Sequence, residues 1–86
     1  MNITSIIYTF SSDQVIVKKP FKIVKETEKC FFIDGGYRYL KSELGIPRLK
    51  SPTKYTYIEL VMVDADEKTL REELSKWFIN KANEVR

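Results

Sequence analysis

The stretch that decides the fold is YTYIELVMV, residues 55–63, followed by DADE, residues 64–67, and a helical pattern that runs to residue 85. Ile58, Leu60 and Met62 recur at every second position, and this alternation is typical of a β-strand. The second half of the stretch is apolar at both alternating positions, which favours an interior strand covered on both faces. The sequence therefore predicts a β-sheet that is followed directly by a C-terminal helix.

The helix is predicted over residues 65–84. Asp64 is the expected N-cap, and a glutamate follows it after three residues, as in a capping box. Leu70, Leu74 and Trp77 recur at spacings of three and four residues, so they fall on one narrow apolar stripe. Because such a stripe must be buried, we expect the helix to be amphipathic and to pack on the sheet.

Four further strands are predicted before residue 42, from apolar and aromatic runs that end at turn residues. Pro20 lacks the N–H needed for a ladder bond, so it marks an edge position, a bulge or a break into two shorter strands. Asp34, Gly35 and Gly36 predict a tight hairpin, because hairpin turns need positive φ angles. The predicted strands span residues 3–10, 14–26, 29–33, 37–41 and 54–63, with one long loop over residues 42–53.

These elements predict one α+β domain over residues 1–86. A chain of 86 residues has material for one core. Short connections favour pairing of strands that are neighbours in sequence. We therefore expect a five-stranded antiparallel β-meander with one C-terminal amphipathic helix. The alternative is a meander curled into a half-open, SH3-like barrel, with the helix covering one face or plugging one end.

Several classes of protein are disfavoured by composition. The apolar run at residues 60–63 is far shorter than the roughly 20 residues that span a bilayer. No export signal precedes the first strand pattern, so we expect no membrane association and a cytoplasmic location. Histidine is absent and Cys30 is the only cysteine, which removes the commonest general base and the commonest metal ligands. We expect no metal, no cofactor and no catalysis, and an enzymatic alternative would rest on Glu59 or Asp34.

The most suggestive surface feature is a basic segment with tyrosines on both sides of it. The chain has 15 Lys and Arg against 12 Asp and Glu, a net charge of +3, and the positive surplus lies before the predicted helix. Cations neutralise phosphates and tyrosine rings stack on unpaired bases, as in single-strand binders, although tyrosines also pair across strands to stabilise sheets. The segment comprises Arg38, Lys41, Arg48, Lys50 and Lys54, with Tyr37, Tyr39, Tyr55 and Tyr57.

The leading functional hypothesis is a small non-enzymatic binding module for a protein partner or a second copy of the chain. Its contact surface would be a strand edge, the basic segment or the exposed side of the helix. Ile79 lies opposite the apolar stripe, so it either contacts a partner or packs against a loop or strand end. The alternative hypothesis is a nucleic-acid-binding domain that uses the basic, tyrosine-flanked segment.

Two short stretches carry a resemblance. The sequence KETEK, residues 25–29, and the sequence RYLKSELG, residues 38–45, look like parts of small proteins carried by phages and other mobile elements. The resemblance implies a small accessory protein of phage or bacterial origin. It implies no site residue, cofactor or partner.

Overall fold

The structure is a computed structural model that describes residues 1–51 and 55–84. Among these residues it contains seven β-strands and one α-helix. The strands are β1 (Asn2–Thr9), β2 (Gln14–Val17), β3 (Phe21–Glu26), β4 (Cys30–Ile33), β5 (Arg38–Leu40), β6 (Arg48–Lys50) and β7 (Tyr57–Val63), and the helix is α1 (Glu67–Glu84). The α+β class is confirmed, while the predicted count of five strands is wrong.

All strand pairs are antiparallel, and the sheet curls into a half-barrel with the order β5-β4-β3-β1-β7-β6. The segment β3-β4-β5 is a meander, as predicted. The prediction that all strands form one meander is wrong, because the first strand pairs with the last. This pairing covers seven positions, from Ile3 opposite Val63 to Thr9 opposite Tyr57. Both strands have apolar residues on both faces, so they take the interior of the sheet rather than its edges.

The predicted strand over residues 14–26 is two strands, because the chain breaks at Pro20. Both parts pair with the same edge of β1: β2 pairs with its second half and β3 with its first two positions. The side-chain alternation changes face at this corner. Val17 packs on the helix side of the sheet and Ile23 packs on the opposite, concave side, although both fall on odd positions. The corner therefore curls the sheet.

Two apolar clusters lie on opposite sides of the β1–β7 pair. We call the first the helix-side core; it consists of Ile6, Ile58, Leu60, Leu70 and Leu74, all buried. We call the second the inner core; it consists of Ile3, Phe31 and Ile33, and it is closed by the sheet folding over itself. Successive residues of β7 contribute to different clusters: Leu60 belongs to the helix-side core, and Val61 packs against the inner core.

The helix packs on the sheet through its apolar stripe, as predicted: Leu70 and Leu74 are buried, and Trp77 packs against them. The helix begins two residues later than expected. Asp66, and not Asp64, is the cap, because its Oδ1 accepts the Thr69 N–H at 2.8 Å. The side chain of Thr69, and then its backbone N–H, hold the pKa of Asp66 below its usual value by hydrogen bonding to the carboxylate. Asp64 adopts a φ of +53° and accepts the backbone N–H of Asn2 instead.

The segment predicted as one loop over residues 42–53 is partly structured. A 3₁₀ turn spans Lys41–Glu43, and β6 pairs with the first half of β7. The signal for β6 is weak because three residues are too few to show a period of two. The hairpin between β4 and β5 is confirmed, with positive φ at both Gly35 and Gly36. Within the described residues, no helix is long and apolar enough to cross a membrane.

Candidate functional site

An open groove of about 490 Å³ lies on the concave side of the half-barrel, beside the inner core. The strands at the two ends of the sheet, β5 and β6, stand on opposite sides of it, and β7 forms part of its floor. We call it the tyrosine groove. It is lined by Lys18, Phe21, Ile33, Tyr37, Arg38, Tyr39, Glu43, Lys50, Tyr57 and Glu59.

The groove unites five of the nine residues in the basic, tyrosine-flanked set. Tyr37 is 73% exposed at the rim, whereas Tyr39 and Tyr57 are half-buried on the strands. Arg38 follows Tyr37 at the start of β5, and Lys50 lies directly opposite Tyr57 in the β6–β7 register. Curling of the sheet is what brings these residues together, because β5 and β6 are far apart in the order of strands.

Glu59 is the electrostatic centre of the groove. Its side chain is only 11% exposed, and it forms ion pairs with two lysines from different strand ends. Lys50 Nζ donates to one carboxylate oxygen at 2.8 Å, and Lys18 Nζ donates to the other at 3.5 Å. Each of its two carboxylate oxygens therefore has a lysine partner.

The pKa values of two neighbours follow from this arrangement. The hydrogen bond to Glu59 raises the pKa of Lys50 above its ordinary value. Burial raises the pKa of Tyr39, and the negative charge of Glu59 adds to that effect. Lys50 therefore stays cationic and Tyr39 stays neutral throughout the physiological range, so the groove presents a stable positive charge beside uncharged rings.

The remaining members of the predicted set lie elsewhere. Lys41 forms an ion pair with Glu26 and lies over the ring of Phe31, and it does not line the groove. Arg48 lines a smaller adjoining cavity and pairs with Glu43 at 2.8 Å. Tyr55 is exposed and does not line the groove. Lys54 is outside the described residues.

Sequence reasoning missed Lys18 and Phe21, which join the groove at the corner around Pro20. Reading residues 14–26 as one strand puts Phe21 on the same face as Val17. The structure puts Phe21 opposite Ile3, on the concave side, because the face changes at the corner. The available signal was Pro20 itself, since a proline that breaks a strand can also redirect the side chains that follow it.

Three other residues considered in the sequence, Ile79, Cys30 and Asp34, do not line the groove. Ile79 is 61% exposed on the helix, and a single exposed isoleucine is ordinary on a protein surface. Cys30 is buried in β4, and Asp34 accepts the Gly35 N–H within the hairpin turn. Across residues 1–51 and 55–84 there is no group of three or more Cys, Asp or Glu side chains placed to hold a metal ion.

Comparison with protein-family models, with curated proteins and with solved structures gave no match. The resemblance to small phage and mobile-element proteins and the cytoplasmic location therefore stay predictions.

Proposed function

We propose that this chain is a non-enzymatic binding module that holds single-stranded nucleic acid in the tyrosine groove. The observation that carries the proposal is the convergence of aromatic rings and cations from distant parts of the chain on one concave surface. Tyr37, Tyr39 and Tyr57 line the groove together with Arg38 and Lys50. Aromatic rings stack on bases of any sequence, and cations follow the phosphates, so this pairing of residue types suits an unpaired strand.

The exposure of the rings supports stacking at the rim. Tyr37 and Phe21 are 73% and 44% exposed, so both offer a ring face to a ligand without disturbing the core. Base stacking on such a ring is worth about 1–3 kcal/mol. Tyr39 and Tyr57 lie deeper, where their half-buried rings shape the floor and their hydroxyl groups provide hydrogen-bonding partners.

The charge of the groove supports an anionic ligand of modest affinity. Lys18, Arg38 and Lys50 line it against Glu43 and Glu59, which leaves one positive charge in excess. Glu59 engages both lysines, so a phosphate must compete with an internal carboxylate for them. Binding should therefore be weak at physiological salt and should weaken further as salt rises.

The test is fluorescence anisotropy of labelled oligothymidylate and oligouridylate at low and moderate salt. We expect the logarithm of the affinity to fall linearly with the logarithm of salt, with a slope of about −0.7 for each phosphate contact. Tyr37→Ala should weaken binding about tenfold through lost stacking. Tyr55→Ala is the matched control, since Tyr55 is equally exposed but outside the groove lining, and it should change little.

A second pair of variants separates groove charge from overall charge. Arg38→Ala should reduce the steepness of the salt dependence by about 0.7. Lys68→Ala removes the same charge from the exposed side of the helix and should leave the slope unchanged. Failure of the folded protein to bind either homopolymer at low salt would exclude the proposal.

Recognition of a protein partner remains the second candidate function. The observation that favours it is the outer edge of β2, which carries no charged residue and has Val15 and Ile16 40% and 46% exposed. Exposed backbone edges with apolar side chains are sites where another strand can add. Pull-down by the purified chain with an Ile16→Lys control tests this candidate, and equal capture by both would contradict it.

A further inference from the structure

We infer that the outer edge of β2 is the docking surface for β2 of a second copy of this chain. Within the described part of the chain, β2 pairs only with β1, so its other edge faces no strand. The Lys18 N–H donates to the Ser5 carbonyl at 3.0 Å. Because the direction of backbone groups alternates along an antiparallel pair, the N–H and C=O groups of Val15 and Val17 point away from β1.

The chemistry of this edge differs from that of the other two sheet edges. Strand β5 carries Arg38, and strand β6 carries Arg48 and Lys50. Basic residues on an edge strand discourage pairing with another chain. Strand β2 has the sequence QVIV and no charged residue, so nothing within it opposes the addition of a strand.

Self-complementarity argues for a second copy as the occupant. Asp13 precedes β2, and two lysines, Lys18 and Lys19, follow it. Antiparallel self-pairing centred on Ile16 brings Asp13 of each copy, in the turn before β2, near the two lysines that follow β2 in the other, whereas parallel pairing brings like charges together. The same register sets Val15 opposite Val17, so the outward backbone groups of both residues find hydrogen-bonding partners.

The decisive experiment is cross-linking in this register. In the proposed dimer the two Ile16 residues form a non-hydrogen-bonded pair with Cα atoms about 4.5 Å apart, which lies within the range of a disulfide. Ile16→Cys should form a disulfide-linked dimer under a mild glutathione redox buffer. Val24→Cys is the matched control: it is equally accessible on β3 but outside the register, and it should stay largely monomeric. The native thiol, Cys30, is buried in both variants.

Sedimentation of the reduced, unmodified chain provides the second measurement. We expect its average mass to rise toward that of a dimer with concentration. Lys19→Glu puts an acid near Asp13 of the other copy at both ends of the paired β2 strands. It should weaken association at least about tenfold. Lys22→Glu makes the same charge change on β3 and should have little effect. Val15→Pro removes one outward N–H without touching the β1 ladder and should abolish the dimer.

Two results would overturn the inference. One is a chain that sediments as a monomer up to about 1 mM. The other is a dimer in which Ile16→Cys cross-links no faster than Val24→Cys, because that would place the contact on another surface.

Discussion

The two faces of the β1–β7 pair are built from alternate residues of the same strands, yet they are completed in different ways. On the helix side, α1 lies across the sheet, and its leucines seal a core in which Ile58 and Leu60 have no exposed surface. On the concave side, the sheet folds over itself and seals only half of the face. The unsealed half is the tyrosine groove.

The two faces also differ in the charged groups that they leave exposed to solvent. On the helix side an open cavity of about 180 Å³ remains beside Leu74 and Phe78. The concave face has Ile3 and Phe31 buried in the inner core and Glu59 with its two lysines in the open groove. Charged groups beside a core add less stability than buried apolar side chains would add in their place.

The largest effect on the free energy of unfolding should separate two neighbouring residues of β7 whose side chains lie on opposite faces of the sheet. Leu60→Ala opens a cavity in the helix-side core and should lower the free energy of unfolding by about 2–5 kcal/mol. Val61→Ala removes a half-buried side chain from the concave side and should cost about 1 kcal/mol. Urea denaturation followed by circular dichroism measures both. Equal losses would mean that the two faces are sealed alike.

A smaller effect should come from the hairpin that carries one wall of the groove. Gly36 has a φ of +85° with open space around it, so Gly36→Ala should cost about 1–2 kcal/mol through backbone strain alone. Gly36→Asn should cost less, because asparagine tolerates positive φ. Hydrogen exchange at the Ile33 amide, which donates to the Tyr37 carbonyl at 3.0 Å, reports on the wall directly. Identical exchange in the two variants would contradict the strain argument.

The smallest effect is a pH dependence confined to the concave side. Both Lys50 and Tyr39 have raised pKa values in the folded chain. What these two groups contribute to the free energy of unfolding is therefore complete at any pH below their pKa values in the unfolded chain, which are about 10. It is lost as the pH rises through their pKa values in the folded chain. Glu59→Gln removes the partner of Lys50 and should cost about 0.5–1 kcal/mol at pH 8, since exposed lysines are screened.

Urea denaturation at pH 8 and above pH 10.5 measures this alkaline loss. The difference between the unmodified chain and Glu59→Gln should shrink at the higher pH, because Lys50 is then losing its proton in both. Tyr39→Phe is the companion variant, since it keeps the ring and removes the ionisable hydroxyl group. A difference that stays constant across this range would show that the Glu59 ion pairs do not contribute to folding.

The elements with regular spacing were predictable. Apolar residues every second position in β7, and every third or fourth in α1, predict a strand and a helix because only those geometries bring the residues to one face. The hairpin followed from Asp34 and two glycines, since few residues accept positive φ. Strand β6 and the cap at Asp66 were missed, because three residues show no period and a cap depends on where the first turn begins.

The candidate site was predictable in composition but not in arrangement. The sequence alone determined three features of the site: its residue types, the excess of cations among tyrosines before the helix, and the lack of histidine. Only the tertiary structure decided that Lys18 and Phe21 belong to the groove, that Lys41 does not, and that Glu59 lies between two lysines. The physical reason is that local spacing sets which face a side chain takes, whereas long-range pairing of β1 with β7 and the corner at Pro20 set which faces meet.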